Sequence, residues 1–350
     1  MKKILIITIL LFLCTGCYDY KELNNLAIIN GIALDFDENS DEYTTTFEIL
    51  NDNSEKNLSY FTIGKGKTLT ESFNKASNKI NRIPFFSHLK IMILSENFVD
   101  NNSYELIDFI THNKKITNMF YISIAKNNTA NELITSESFN DETVSNNVYT
   151  LIDNKDLTNN ISLKVDFNKF ASLTINKRQD LYLPVIKLNK DRVQLDGIAI
   201  FNNKKFIEYL NEEDSKILNI LFNEAKNSYF EYSCTNNKKI IINIYKQKVN
   251  FTITKKKVKI NITLLADIEK NDCENIIKDN KELEKKFDII LKEKINKLIT
   301  KFKEKNSDIL GINYMYYKNN NKDIKFNKLI YDIKVDVKLN NNGIIIEVKK

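Results

Sequence analysis

Apolar and polar residues alternate or cluster along the chain in patterns that predict strands and helices. Residues 27–35 and 43–50 are rich in apolar residues typical of strands and lie on either side of a polar turn at 37–41, which predicts a β-hairpin. Residues 89–94 and 119–125 are apolar almost throughout, as is typical of strands buried on both faces of a sheet. The first half is therefore expected to contain a sheet with a buried centre.

Helical periodicity separates these strands. In residues 68–81, four apolar side chains recur on one helical face, and Thr68 with Glu71 forms a capping-box pattern. Residues 64–67, which precede this helix, predict a loop after a strand at 60–63. Shorter helices are predicted at 103–112, 131–134, 144–151 and 168–174, and a strand at 181–186.

The second half repeats both patterns with longer elements. Its predicted elements are strands at 195–201 and 205–210, a helix at 212–227, and alternating strands at 240–244, 258–264, 333–337 and 344–348. The longest helical pattern covers residues 272–306, where one apolar stripe faces away from a Lys/Glu surface. Gly311 is expected to end that helix.

These elements predict a mixed α/β (α+β) fold of more than one domain, with mixed and antiparallel sheets, packed helices and one long helix near the C-terminus. We expect a leader at 1–16, an N-terminal α/β domain at 17–190 and a C-terminal α+β region at 191–350. The C-terminal region divides further at about residue 235, into 191–235 and 236–350.

The first seventeen residues have the layout of a secretory signal. Lys2 and Lys3 precede an apolar run at 4–13, and small residues lead up to Cys17. The run is about half the ~20 residues that a membrane-spanning helix needs. A signal that ends in Gly-Cys is similar to the bacterial lipoprotein type, although Cys14 occupies the usual leucine position. We therefore expect cleavage before Cys17 and attachment of a diacylglyceryl group, with palmitate as an acyl chain of the lipid, to its sulfur; the alternative is an ordinary signal peptide.

Composition and charge exclude several classes of protein. Hydrophobic residues make up 42% and charged residues 28% of the chain, so a globular fold is expected. The net charge of +6 becomes +4 once the two signal lysines are removed (6 − 2), which is too balanced for a nucleic-acid-binding protein. Cys234 and Cys273 are too few for a disulfide scaffold or a zinc cluster. Two free thiols are the favoured interpretation, and a bridge between them stays open.

Three short segments resemble parts of a nucleotide site, a catalytic site or a lipid-binding site, but the neighbouring residues do not support these roles. A phosphate loop needs a glycine at position 61, which is Phe61, so Gly-Lys-Thr at 66–68 does not predict a nucleotide site. His88 lacks a motif-placed nucleophile or carboxylate and is expected to be a hydrogen-bonded structural residue. The lysines at 255–257 suit either anionic lipid headgroups or, as we favour, a solvated turn.

The residues that begin at Cys17 resemble the mature N-terminus of Ger(x)C-type spore germination lipoproteins. Tyr18 stands where tryptophan is usual, and residues 113–116 replace an arginine-rich segment. Later blocks at His88, Gly197 and Asp308 resemble the same family. Matching positions are Gly16, Cys17, Asp19, Glu22, Leu23, Asn24, Leu26, Ala27, Gly31, Asp35, His88, Leu89, Lys90, Gly197, Ala199, Phe201, Leu210, Asp214, Asp308, Ile309 and Gly311.

This resemblance implies the lipoprotein C subunit of a spore nutrient-germinant receptor. Such a subunit lies on the outer face of the spore inner membrane, attached through lipid on Cys17, and assembles with integral-membrane subunits. It implies no enzymatic activity, no cofactor, no metal and no nucleic-acid partner. The alternative function is a solute-binding lipoprotein of a transporter. A cell-wall hydrolase would need paired catalytic acids, which no motif indicates.

Overall fold

A computed structural model describes residues 25–51, 58–137, 142–154, 161–235, 238–273 and 279–340. Within these ranges, thirteen strands form two sheets and eight helices pack against them. The predicted mixed α+β fold class is confirmed.

The elements are named in chain order. The strands are β1 (Leu26–Asp37), β2 (Glu42–Leu50), β3 (Ser59–Gly66), β4 (Ile83–Phe85), β5 (Ile91–Leu94), β6 (Tyr121–Ala125), β7 (Tyr182–Asn189), β8 (Arg192–Asn202), β9 (Lys205–Leu210), β10 (Ser228–Thr235), β11 (Lys238–Ile253), β12 (Lys257–Asn271) and β13 (Ile330–Leu339). The helices are α1 (Leu69–Ser77), α2 (Glu96–His112), α3 (Ala130–Ile134), α4 (Val144–Asp153), α5 (Phe167–Ile175), α6 (Glu212–Leu221), α7 (Asn280–Glu304) and α8 (Ile312–Asn320), with a 3₁₀ turn at Phe326–Lys328.

The first sheet has the order β3-β2-β1-β5-β6-β7-β8-β9, and β4 pairs with the start of β1. Strands β1, β5, β6 and β7 are parallel neighbours. Successive residues of β1 point to opposite cores: Ile32 lies in the core with α1, α2 and α5, and Ala33 lies in the core with α3 and α4. Because helices cover both faces, the central strands are apolar throughout, as predicted.

The parallel strands give the first sheet two distinct edges. We call the edge where β1, β5 and β6 begin the amino edge. Leu26 enters the sheet there, beside Ile83 of β4. The opposite edge, where these strands end, is the carboxyl edge. It carries the connections at 38–41 and 126–129 and the start of α2.

The second sheet has the order β10-β11-β12-β13, with β13 parallel to β12 and the other pairs antiparallel. Helix α7 lies on it and buries most of its predicted apolar stripe. The buried members are Leu283, Phe287, Leu291, Ile295, Leu298 and Phe302, and Ile290 of the same predicted stripe is half-buried. The core that begins under α1 continues without a break to α7. The predicted boundary near residue 190 lies in the turn between β7 and β8, and both strands belong to the first sheet.

Several predicted element boundaries are wrong. Strand β3 continues through Gly66, where a loop was expected, and α1 ends at Ser77. Helix α6 ends at Leu221, six residues before the end of the predicted helix at 212–227. Strand β10, which was not predicted, begins at Ser228, directly after that range. Helix α7 begins at Asn280, eight residues later than predicted. The predicted strand at 344–348 and its turn at 341–343 lie outside the described residues.

Gly311 does not end the long helix. Helix α7 ends at Glu304, and Asn306 takes the left-handed conformation (φ 52°) that follows many helices. Gly311 (φ 68°) instead precedes α8, a helix that the periodicity did not predict. Glycine tolerates this positive φ without the steric cost that a Cβ would add.

Cys234 and Cys273 form a disulfide, so the favoured interpretation of two free thiols is wrong. Strand pairing explains why they meet. Cys234 lies at the end of β10, and Cys273 follows β12, while β11 pairs with both strands. Their Cα atoms are 6.5 Å apart, within the range that a disulfide spans.

The glycines before α1 allow this helix to lie directly on β3. A Cβ added to Gly64 would come within 2.0 Å of the Ser72 carbonyl oxygen and 2.3 Å of the Ala76 nitrogen. Both are backbone atoms, which cannot rotate away. The Gly-Lys-Gly-Lys-Thr stretch therefore serves helix–strand packing.

We expect Gly64→Ala to lower the free energy of unfolding by about 2–3 kcal/mol, because α1 must move away from the sheet. Urea denaturation measures this difference. The matched control is Lys65→Ala at the next, exposed position, which should change stability by less than about 0.5 kcal/mol. Equal stabilities of the two variants would show that α1 does not pack as closely as described.

Candidate functional site

Cys17, the predicted lipid-attachment residue, lies outside the described residues, so its acylation stays a prediction. The structure does describe where the chain enters the fold. Strand β1 begins at Leu26, on the amino edge of the first sheet. A lipid on Cys17 would therefore be connected to that edge through nine residues.

A polar cleft of about 660 Å³ opens at the carboxyl edge. In sheets with parallel strands, ligand sites commonly lie at this end. Four carboxylates and one lysine line it, together with amides and hydroxyls: Asp35, Asp37, Lys65, Ser95, Glu96, Thr129, Asn131 and Glu132 are among them.

Asp35, the last residue of the N-terminal motif, lies in the wall of this cleft. Its carboxylate accepts hydrogen bonds from the backbone N–H groups of Ala130 (2.7 Å) and Asn131 (2.9 Å), at the start of α3. Burial raises its pKa, and these two hydrogen bonds oppose that rise. Asp35 thus attaches α3 to the end of β1, which is a structural role.

Glu48 makes the same kind of contact on a neighbouring strand. Its carboxylate accepts from the N–H groups of Val144 (3.1 Å) and Ser145 (2.9 Å) at the start of α4, and from the Ser59 hydroxyl (3.1 Å). Burial raises its pKa. The partial positive charge of a helix N-terminus compensates such a buried acid. Glu48 could not be identified from the sequence, because the helix that it binds is about a hundred residues away.

Asp308 of the C-terminal motif is the third buried acid at a helix start. It accepts from the N–H groups of Ile312 (2.9 Å) and Asn313 (2.8 Å) at the start of α8. Its own N–H donates to the Asp180 carboxylate (2.7 Å). Burial raises the pKa of Asp308 to about 7, and the charge of Asp180 adds to the rise.

The segment at residues 307–311, which we call the joint segment, connects α7 to the first sheet. Besides the bond from Asp308 to Asp180, Gln179 donates from its side chain to the Ile309 carbonyl (3.0 Å). The Ser307 hydroxyl donates to the carbonyl of Phe201 in β8. The Asp-Ile-x-Gly motif therefore fixes the position of the second sheet relative to the first.

The motif block at Gly197 belongs to the same contact region. Gly197 has φ 93°, and a Cβ there would come within 2.3 Å of the Leu210 carbonyl oxygen. Asp214, at the start of α6, forms an ion pair with Lys301 of α7 (2.6 Å). Two motif blocks that are about a hundred residues apart in sequence thus meet where the two sheets join.

Other predicted candidates have ordinary surroundings. His88 was expected to be a hydrogen-bonded structural residue. It is instead exposed at the amino edge, and the contact that the structure describes for its ring is with Phe85 (5.8 Å between ring centroids). Lys255 and Lys256 lie exposed in the β11–β12 turn, and Lys257 pairs with Asp332 (2.7 Å). Across the described ranges, no group of three His, Cys, Asp or Glu side chains is placed to hold a metal ion.

We expect stability to fall as pH rises through the raised pKa of Asp308. The folded protein binds this proton more tightly than the unfolded chain, so its contribution is present near pH 4 and is lost above about pH 7. Asp308→Asn cannot ionise. Urea denaturation at about pH 5 and about pH 8 measures the free energy of unfolding. The decrease in this free energy between the two pH values should be smaller in Asp308→Asn than in the wild-type protein, by on the order of 1–2 kcal/mol. Asp35 and Glu48 shift in the same direction in both proteins and cancel, whereas Asp180, which contacts Asp308, contributes to the measured difference. Equal decreases would contradict the assignment.

Comparison with known proteins covers almost the whole chain. The family model described as spore germination protein N-terminal domain matches residues 19–188, and the one described as spore germination B3/GerAC like, C-terminal, matches residues 196–343. The chain belongs to the Ger(x)C-type spore germination proteins. The two matches meet near the β7–β8 turn.

Relatives and a solved structure of this family match over long stretches. Spore germination protein GerQC of Bacillus cereus is 21% identical, over 98% of this chain and 99% of its own length. Spore germination protein B3 of Bacillus subtilis (strain 168) is 24% identical, over 60% of this chain and 58% of its own length. The crystal structure of the GerBC protein has a TM-score of 0.55 at 15% identity, and the match covers 92% of this chain and 100% of that one. This Ger(x)C-type chain therefore shares its fold with GerBC.

The structure also bears on the membrane question. Among the described helices, none combines the length and the apolar composition that a membrane-spanning helix requires.

Proposed function

We propose that this chain is the lipoprotein C subunit of a spore nutrient-germinant receptor, attached through Cys17 to the outer face of the spore inner membrane. The observation that carries the proposal is the match to two family models of spore germination proteins. They cover residues 19–188, starting two residues after Cys17, and residues 196–343. The apolar leader and the Gly-Cys sequence at 16–17 support export and acylation. Two acyl chains give stable anchoring where one is marginal.

The disulfide gives independent support for an extracytoplasmic location. Structural disulfides form in oxidising compartments and are rare in the cytosol. The Cys234–Cys273 bond joins two strands of the second sheet, so it belongs to the fold itself. This chemistry fits a protein that folds after export.

The function that we propose is assembly with the integral-membrane receptor subunits, and not turnover of a substrate. The buried acids that could serve as catalytic groups accept hydrogen bonds from helix N-termini. Confinement to the membrane surface would raise the effective concentration of the chain for weak contacts with those subunits.

Deletion of the coding sequence in the spore-forming source tests this proposal. Loss of optical density after nutrient addition should be slowed or abolished for at least one nutrient, and a copy at a second locus should restore it. Normal germination with every nutrient, in a strain that also lacks all paralogues, would refute the receptor role.

The carboxyl-edge cleft favours a second candidate, a solute-binding lipoprotein of a transporter. Its volume of about 660 Å³ lies within the ~300–1,000 Å³ range of small-molecule sites. Isothermal titration of the purified chain with amino acids and sugars separates the two functions. Tight, saturable binding combined with normal germination of the deletion strain would favour the transporter function.

A further inference from the structure

Two connections at the amino edge of the first sheet are basic, and the cleft at the carboxyl edge is acidic. The connections that reach the amino edge, residues 78–90 and 113–120, contain five Lys or Arg residues and no Asp or Glu. At the carboxyl edge, the lining of the polar cleft includes four carboxylates and one lysine. These basic connections and the acidic cleft are separated by the length of β1, while Asp153, which is paired with Lys164, also lies at the amino edge beside Tyr121.

The chain enters the sheet at the edge with these basic connections. Leu26 begins β1 beside Ile83, so the segment that leads back to Cys17 starts at the amino edge. Nine residues reach at most about 30 Å, even when fully extended. The carboxyl edge lies about 36 Å further along β1, whose 12 residues rise ~3.3 Å each. A lipid on Cys17 would thus hold the amino edge, and not the polar cleft, close to a bilayer.

Exposed apolar side chains lie among the basic residues of this edge. Met119, two residues before β6, is 88% exposed, and Ile83 of the short strand β4 is 48% exposed. Lys114 and Lys115, which precede Met119 in the same connection, are also exposed. Apolar side chains beside lysines suit the boundary between headgroups and acyl chains, where both kinds of group are stabilised.

We propose that the amino edge of the first sheet, with Met119, Ile83, Lys114 and Lys115 at its centre, lies against an anionic phospholipid surface. This orientation rests on the proposed lipid anchor at Cys17. It directs the acidic cleft away from the membrane, because like charge repels the carboxylates from anionic headgroups. Each lysine near such a surface favours the docked orientation about fivefold.

Fluorescence quenching in vesicles tests the orientation. The acylated full chain carries an introduced cysteine with a fluorophore, either Met119→Cys at the amino edge or Asn97→Cys, which is exposed at the carboxyl edge. The native thiols do not react, because Cys17 is acylated and Cys234 is bonded to Cys273. Vesicles of phosphatidylcholine, with or without phosphatidylglycerol, carry a nitroxide on the headgroup.

We expect severalfold stronger quenching at position 119 than at position 97, and only with phosphatidylglycerol present. Raising salt to about 1 M, where the Debye length is ~3 Å, should remove the difference. Lys114→Gln with Lys115→Gln should reduce the ratio of docked to undocked protein by more than tenfold. Equal quenching at the two positions, or quenching that does not depend on phosphatidylglycerol, would overturn the proposal.

Two further outcomes distinguish the lipid-surface orientation from protein binding at the same edge and from the lipid anchor at Cys17. If position 119 is quenched only after the integral-membrane subunits are added, the amino edge binds a protein, and the lipid-surface proposal fails. The anchor itself is measured separately, by the processing of the signal at Cys17. Normal acylation without quenching at position 119 would therefore overturn the orientation and leave the anchor in place.

Discussion

Cys234→Ser combined with Cys273→Ala is expected to lower the free energy of unfolding by about 4 kcal/mol. The disulfide closes a loop with a sequence separation of 39 residues. Loop-closure entropy for about 40 residues corresponds to ~4 kcal/mol of stabilisation, exerted mainly on the unfolded chain. Alanine is the better replacement at position 273, because the site is fully buried and a serine hydroxyl would add a desolvation cost.

Urea denaturation with and without dithiothreitol measures this effect and supplies its control. Reduction should destabilise the wild-type protein by about the same amount as the double substitution, and it should leave the double variant unchanged. A wild-type protein that is equally stable in both conditions would show that the two thiols are not bonded. The bridge lies in the second sheet, so we expect that sheet and α7 to lose hydrogen-exchange protection first.

The disulfide also shows what the sequence could not predict. The two cysteines lie on the strands on either side of β11. They meet because Ser233 of β10 pairs with Lys239 of β11, and Ile240 of β11 pairs with Asn271 of β12. A register is set by contacts along two whole strands, and β10 was not predicted at all. Its sequence, Ser228–Thr235, alternates, but only Phe230 and Ser228 are fully buried. Without its neighbour, this segment looks like the continuation of α6.

Elements with strong periodicity were predicted well. The hairpin β1–β2, the buried strands β5 and β6, and the stripe of α7 match their predicted positions to within a few residues. These elements carry enough apolar residues to identify the buried face locally. Helix α8 was missed for the opposite reason: of its nine residues, only Ile312 and Tyr316 are buried. It is fixed by Gly311 and Asp308, which bind its first turn, and not by an apolar stripe.

The motif residues were found from sequence, but their roles were not. Asp35 and Asp308 could have been catalytic acids, since burial raises the pKa of each. The structure places both at helix N-termini, where backbone N–H groups occupy their oxygens. The partners of Asp35 are about 95 residues further along the chain, whereas those of Asp308 are four and five residues further and belong to a helix that the periodicity did not predict. A motif therefore indicates which residues matter, and only the fold shows that they hold helices in place.

Cys17→Ala is expected to abolish lipid attachment and to reduce nutrient germination as severely as deletion of the chain. The cysteine sulfur is the predicted site of diacylglyceryl transfer, so alanine leaves the signal at 1–16 uncleaved and a slower-migrating precursor accumulates. Immunoblots of sporulating cells, with and without globomycin, measure this step, and loss of optical density measures germination. Cys14→Ala is the matched control: it alters the same apolar segment and should be processed normally, because position 14 is usually occupied by an apolar residue.

A Cys17→Ala chain of mature size that supports full germination would refute both the anchor and the need for it. A variant that is unprocessed but still functional would retain the receptor role and show that the uncleaved leader can substitute for the lipid.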